Sequence, residues 1–279
     1  VLVVATGMSF HNLGAYGPSG TEPSRRFDAW LTRTVTTADA DARRRALIDW
    51  TQAPAARFAH PREEHLLPLI SIDLGLVRPE LAGTVVHMLC PVEPFEGCIG
   101  DETEAHHNAF TAPNWFALEL TPDNRYRFLG NEGFFQRAPQ HGGQFTKDAY
   151  ACEHTDEMLA SHAKASAYYA EHGRLASYSR YGKGEPVEQD YLDSLGGGIW
   201  YGNWTSHPPI PPAFQLDEAE NAGMGDELED DGIRITRDGK PFFHVANVAG
   251  YNWCATGADS ILLFYEPESR TALFTFDWT

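Results

Sequence analysis

Two apolar runs close the chain, Ser260-Ile-Leu-Leu-Phe-Tyr265 and Thr271-Ala-Leu-Phe-Thr-Phe276, with Glu266-Pro-Glu-Ser-Arg270 between them. Six-residue apolar runs bounded by turn formers have strand length, and a five-residue connection brings the second back beside the first. A tighter signal lies upstream, where Ile233-Arg-Ile-Thr and Pro241-Phe-Phe-His-Val flank Asp238-Gly239, a dipeptide suited to the φ > 0 positions of a two-residue hairpin. Strands joined so closely must run antiparallel, because a parallel crossover needs a dozen or more residues.

Further β candidates precede them: Val85-Val86-His87-Met88-Leu89, Phe116 to Leu120 and Tyr126 to Leu129. Thr155 to Glu171 predicts a helix. Asp156 and Glu157 sit at its positive end, Met158, Leu159, His162, Ala163, Tyr169 and Ala170 lie near one face, and Gly173 stops it. The segment Gly196-Gly197-Gly198-Ile-Trp200-Tyr-Gly-Asn-Trp204, running into Pro208-Pro209-Ile-Pro211-Pro212, is irregular and aromatic, a loop clamped over the β core. Asp217 to Asp231 reads as an acidic loop.

The beginning differs in kind. Val1-Leu2-Val3-Val4-Ala5 predicts a buried strand broken by Thr6-Gly7, with His11 just past its end, where α/β folds put their chemistry. After the breaker-rich loop Gly14 to Gly20, Ser24 is placed to cap a helix bearing Phe27, Trp30 and Leu31 on one stripe. Thr37, Asp39 and Asp41 open a second helix with Ala42, Ala46, Leu47 and Trp50 inside, ended by Ala53-Pro54. Pro61 suits the first position of a third, with Glu63 and Glu64 in its first turn and His65 carried on it. The expected fold is an α/β fragment over residues 1–78, then an acidic α+β, mainly antiparallel β domain over residues 85–279. Charge places the join near residues 77–84: the first 78 residues hold nine arginines, no lysine and eight acidic residues, a net +1, so the remainder carries −19 against the whole chain's −18.

That acidity keeps a protein soluble and repels phosphates, so nucleic-acid binding is not expected. No stretch approaches the roughly twenty apolar residues of a membrane span, and no basic segment precedes an apolar core with a small-residue cleavage site. A cytoplasmic protein is expected. Residue 1 is read as a truncation point, since the chain begins without methionine and inside an apolar strand. Cys90, Cys98, Cys152 and Cys254 are too few for a disulfide framework.

Two stretches carry a family resemblance over residues 1–76: Gly7, Ser9, His11, Asn12 and Leu13 after the first strand, then Ala56-Arg57-Phe58-Ala59-His60-Pro61, Glu64-His65 and Pro68-Leu69. Together they resemble the C-terminal part of class III extradiol ring-cleavage dioxygenases, nearest the 4,5-DOPA dioxygenase branch. The resemblance implies a non-haem Fe(II) or Zn(II) cofactor and a catecholic substrate opened with O₂. It makes His11 the active-site histidine, acting as acid/base or metal neighbour, and His65 a metal ligand. The family's early metal histidines belong to an N-terminal half that this sequence does not contain, so a partner chain is expected to complete the site. The C-terminal β region, with its Gly-Gly-x-x-Trp and proline segment, resembles uncharacterised bacterial β-rich proteins of the DUF1963 type, which implies no chemistry.

Read as residues alone, these positions keep bland alternatives. His60 and His65 are five apart, about 140° around a helix, so they cannot converge on one ion; His60, facing Glu64, then serves capping. His11-Asn12 can equally be a turn that bonds its own backbone. Cys152-Glu153-His154, and His106-His107 with Cys90 and Cys98, match no usual zinc spacing and read as buried thiols and a solvated loop. The run Asp226 to Gly232 imitates the start of a calcium loop, but its twelfth position is Asp238 where a bidentate Glu is required, so it reads as a solvated acidic face. Two functions follow: a partial ring-cleaving dioxygenase, or a binding or structural protein whose working part is the β-rich domain.

Overall fold

A computed structural model describes residues 18–36, 39, 42–43, 45–46, 52–56, 66–92, 97–146, 149–178, 185–206, 209–217 and 232–278. The chain divides into two compact units, Val1–Glu64 and His65–Thr279.

In the first unit, helix α1 spans Pro18–Thr36. It begins six residues before Ser24, because Pro18 tolerates a first position that has no N–H to satisfy. Phe27 is buried with Ala53 and Ala56, and Trp30 packs against it with ring centroids 5.4 Å apart. Asp39 caps the next helical stretch, its carboxylate accepting from the Ala42 N–H at 3.0 Å. The strand expected over Val1–Ala5 lies outside the described residues.

The second unit opens on strand β1, Leu66–Asp73, paired antiparallel with β2, Val85–Pro91, from Leu66↔Pro91 to Asp73↔Val85. The helix expected from Pro61 therefore does not run on through Leu66–Leu69. Pro68 would break a helix interior, whereas here it sits where the pairing register shifts, between Pro68 and Ser71, and need not donate to the ladder. This pairing crosses residues 77–84, where composition suggests a join. Asp73 closes that connection: its Oδ1 accepts from the backbone N–H of Gly75 at 2.8 Å and Gly83 at 3.0 Å. The change in charge marks no structural boundary at this place.

Seven strands make the main sheet: β3 (Thr111–Ala112), β4 (Trp115–Leu120), β5 (Tyr126–Phe128), β8 (Ser194–Leu195), β12 (Phe243–Val248), β13 (Ser260–Glu266) and β14 (Thr271–Asp277). It is antiparallel, in the order β3-β4-β14-β13-β12-β8, with β5 also paired to β4. The terminal hairpin forms in the register its runs suggest, Ser260↔Asp277 to Glu266↔Thr271. Both strands are central and covered on both faces, which is why they read as continuous apolar runs instead of alternating.

On the first face, Phe116 stacks on Phe274 at 5.1 Å, and Ile261, Leu263, Tyr265 and Phe276 join a core with Val86, Met88 and Met158. Met158 belongs to helix α2, Ala149–His172, which starts six residues before the expected Thr155 and stops at Gly173 (φ 68°), whose N–H returns to the Tyr169 carbonyl at 2.8 Å. Beyond it β6 (Leu175–Ser177) and β7 (Val187–Gln189) form a separate antiparallel pair. The opposite face of the main sheet carries a second core of Trp115, Ala117, Leu262, Phe264 and Leu273 under Ile199, Trp204 and Phe214.

A small sheet is built from β9 (Gln215–Asp217), β10 (Arg234–Arg237) and β11 (Lys240–Pro241), with β10 in the middle. Asp238 (φ 50°) and Gly239 (φ 74°) make the expected tight turn between Arg237 and Lys240. The strand expected over Pro241–Val245 is divided. The Phe242 N–H still donates to the Ile235 carbonyl of β10 at 2.9 Å, and from Phe243 the chain joins the main sheet beside β13. The unit is thus an α+β fold built on antiparallel strands. Among the described residues, no helix is long and apolar enough to cross a membrane.

Candidate functional site

His11, His60 and His65 all lie outside the described residues, as does the acidic run Asp226–Asp231. The other candidate ligands are placed, and they are engaged elsewhere. His107 Nε2 bonds the Gly100 carbonyl at 2.8 Å, and His141 Nε2 the Gly133 carbonyl at 2.8 Å. His106 packs edge-on against His141 at 5.1 Å. His87 lies between the Ser71 hydroxyl and the Asn124 carbonyl, at 2.9 Å from each. Cys90 is buried and turned to the Pro91 carbonyl, while Cys152 is exposed, and none of the four cysteines is in a disulfide. Among the described residues, no three His, Cys, Asp or Glu side chains come together where they could hold a metal ion.

A different constellation occupies the second face of the main sheet. Trp115 Nε1, Trp204 Nε1, Thr275 Oγ1 and His244 Nε2 are buried polar atoms without a hydrogen-bond partner. Their residues are 0% exposed, except His244 at 6%. The sheet brings them together through pairing. Thr275 on β14 stands opposite Trp115 on β4, Leu273 two residues away stands opposite Phe264 on β13, and Phe264 stands opposite His244 on β12. Trp204, on the short helix Asn203–Ser206, covers them with its ring 5.9 Å from Trp115 and 5.7 Å from Phe264. The His244 ring lies 5.7 Å from the Phe264 ring.

His244 has a fixed hydrogen-bonding sense. Burial holds its pKa below the ordinary histidine value, although the carbonyls of Gly196, Ala246 and Gly197 work against this, so the ring is neutral. Its Nδ1 is 3.2 Å from the Gly196 carbonyl oxygen, which can only accept. Nδ1 therefore carries the proton, and Nε2 presents a bare lone pair. The indole nitrogens of Trp115 and Trp204 can only donate, and the Thr275 hydroxyl can do either. Two donors, one acceptor and one ambivalent group thus face an aromatic interior.

No family model, curated protein or solved structure matches the chain. Each buried polar atom left unbonded costs about 1–3 kcal/mol, so four on one face are an appreciable fraction of a domain's stability. A group of complementary hydrogen-bonding character would recover that loss.

Periodicity cannot locate this set. Trp115 and Thr275 sit inside apolar runs and read as core, and His244 reads as one residue of a strand. The one available signal is Thr275, a hydroxyl within a strand otherwise buried on both faces, while Gly196–Trp204 correctly reads as a cover over the β core.

Proposed function

We propose that the β-rich unit is the working part of this chain and that it binds a small organic molecule on the second face of its main sheet. The observation that carries this reading is the group of four unpartnered buried polar atoms of Trp115, Trp204, Thr275 and His244 on one sheet face. Pockets for small molecules are mostly apolar and aromatic with a few placed polar groups, and this face has that composition. Its cover is the irregular segment Gly196–Ser206, tied down by the Gly196 N–H to the Val245 carbonyl at 2.8 Å and by the Trp204 N–H to Asp277 at 3.3 Å.

The test is a thermal-shift screen of small neutral aromatic compounds against the full chain. A hit is expected to raise the melting temperature in proportion to the logarithm of its concentration. The shift should vanish in Trp115→Phe, which removes one donor and keeps an aromatic wall. A screen with no hits, together with a crystal structure placing ordered water on all four atoms, would reduce the set to a hydrated core. A cytoplasmic location belongs to the same proposal and is supported by four cysteines that form no disulfide.

A second reading rests on the paired motifs around His11 and His60-Pro61 to His65. It makes residues 1–76 a partial α/β dioxygenase domain that opens a catechol with O₂ once another chain completes it. The metal when bound would activate O₂ and hold the catecholate. His65 would be a ligand, and His11, near-neutral in pKa, would take and return the proton. Elemental analysis tests this directly. Stoichiometric iron or zinc, lost in His65→Ala and retained in His11→Ala, is the supporting result, and a metal-free chain in the presence of any candidate partner would refute it.

A further inference from the structure

We propose that Cys90 and Cys254 are a reversible disulfide site, which closes under oxidising conditions and ties the β1–β2 hairpin to the connection between β12 and β13. It lies in the core on the first face of the main sheet and is independent of the binding reading above.

Two distant stretches bring the sulfurs together. Cys90 is the penultimate residue of β2, opposite Leu67 of β1. Cys254 follows the short helix Gly250–Trp253 in extended backbone (φ −130°, ψ 118°), its N–H held by the Gly250 carbonyl at 2.9 Å. Both side chains are 0% exposed and belong to one core with Val86, Met88 and Ile261. The two thiols are hydrogen-bonded to each other. Since the Cys90 thiol donates to the Pro91 carbonyl at 3.5 Å, the Cys254 thiol is the donor to Cys90 Sγ.

The core accepts the product more readily than the reactive form. The hydrogen bond with Cys90 and burial hold Cys254 well above the ordinary thiol value, so the closed pair stays protonated and slow to react. A disulfide is uncharged and apolar, and forming it removes both S–H donors without leaving either unsatisfied. Reaction therefore begins when the β1–β2 hairpin opens locally and a thiolate forms in water. That thiolate attacks one sulfur of a small disulfide such as oxidised glutathione, giving a mixed disulfide and one glutathione thiol. The second cysteine then displaces the other glutathione. Two electrons pass from the pair to the glutathione disulfide, and the two protons leave on the two glutathione thiols. A dithiol reverses the exchange, and a reduced glutathione pool keeps the pair as thiols. The bond closes a loop through most of the second unit, and a long loop restricts the unfolded chain more than a short one.

The other two cysteines are internal controls. Cys152 is exposed, and burial with the Asp101 carboxylate pushes Cys98 up to about 11.

The test treats the full chain at pH 8 with oxidised glutathione, with and without urea below the unfolding transition, then blocks remaining thiols and maps linkages by mass spectrometry of a non-reducing digest. The expected result is a Cys90–Cys254 linkage, formed several-fold faster in urea because opening limits the rate. The oxidised chain should melt on the order of 5–10 °C higher, and dithiothreitol should reverse the shift. Cys254→Ser should abolish the shift, while Cys152→Ser should keep it. Because oxidised and reduced wild type are compared directly, the result does not depend on a variant folding. If Cys90 and Cys254 stay unlinked while Cys152 takes up glutathione, or if either bonds another cysteine, the pair is a packing contact and the proposal fails. A linked chain that melts below the reduced one would likewise overturn the tie.

Discussion

Thr275 is fully buried, and its hydroxyl has no partner, in the middle of a strand whose neighbours are apolar. Valine has nearly the same shape without the polar atom. Thr275→Val is therefore expected to stabilise the unliganded protein by about 1–2 kcal/mol, the opposite of the usual outcome for a fully buried position, and to weaken ligand binding at the same time. Urea unfolding of the two proteins checks the first part, and a destabilised valine variant would show that Oγ1 is satisfied in solution. His244 gives a second expectation with a definite sign. Its folded pKa is held down by burial, so the native state favours the neutral ring while the unfolded chain takes up a proton below its ordinary value near 6.5. Stability contributed by the neutral ring is present at and above neutral pH and is lost as the pH falls below about 6.5. Between pH 7 and pH 5 the wild type should lose more unfolding free energy than His244→Phe, and parallel losses would place the titration elsewhere.

At the scale of elements, the β13–β14 hairpin is legible because its two apolar runs and five-residue connection leave one antiparallel solution. The turn is held by a carboxylate that periodicity cannot reveal. Glu266 is 3% exposed, and burial alone would raise its pKa, but the Ser269 hydroxyl and the backbone N–H groups of Ser269 and Glu268 outweigh this and hold the value below that of a free glutamate. Its contribution is complete above the unfolded pKa near 4.3 and disappears as the pH falls through the lower folded value. Glu266→Gln should cost about 1–2 kcal/mol at pH 7 and progressively less toward pH 3, as read from denaturation midpoints. The strand at Leu66 is hidden for a different reason. Pro61-Arg-Glu-Glu carries sound helix-start chemistry, but the fate of Leu66–Asp73 depends on Val85–Pro91, a partner beyond the reach of local signals. Trp115, Trp204, Thr275 and His244 are illegible in the same way. They come from three strands and a short helix spread over 115–275, and only strand register brings them to one face.

For the whole molecule, the place where the chain can be cut follows from strand pairing. A change in composition near residues 77–84 implies that residues 88–279 should fold alone. The structure favours a cut before His65, because Ile72 and Leu74 from β1 and its connection are buried in the same core as Val86, Met88 and Phe274. Removing residues 65–87 strips β2 of its partner strand and leaves one side of that core open to water, with Met88 and Cys90, each 0% exposed in the intact unit, among the groups uncovered. Losing several fully buried apolar side chains at about 1.5–3 kcal/mol each exceeds what a domain with roughly 5–15 kcal/mol of stability can spare. Residues 65–279 expressed alone should melt in one cooperative transition, whereas residues 88–279 should be aggregated or should lack a cooperative melt by calorimetry and near-UV circular dichroism. A cooperative transition in the shorter piece, at the temperature of the longer one, would mean that β1 is an appendage to the core, and the boundary suggested by charge would be the correct one.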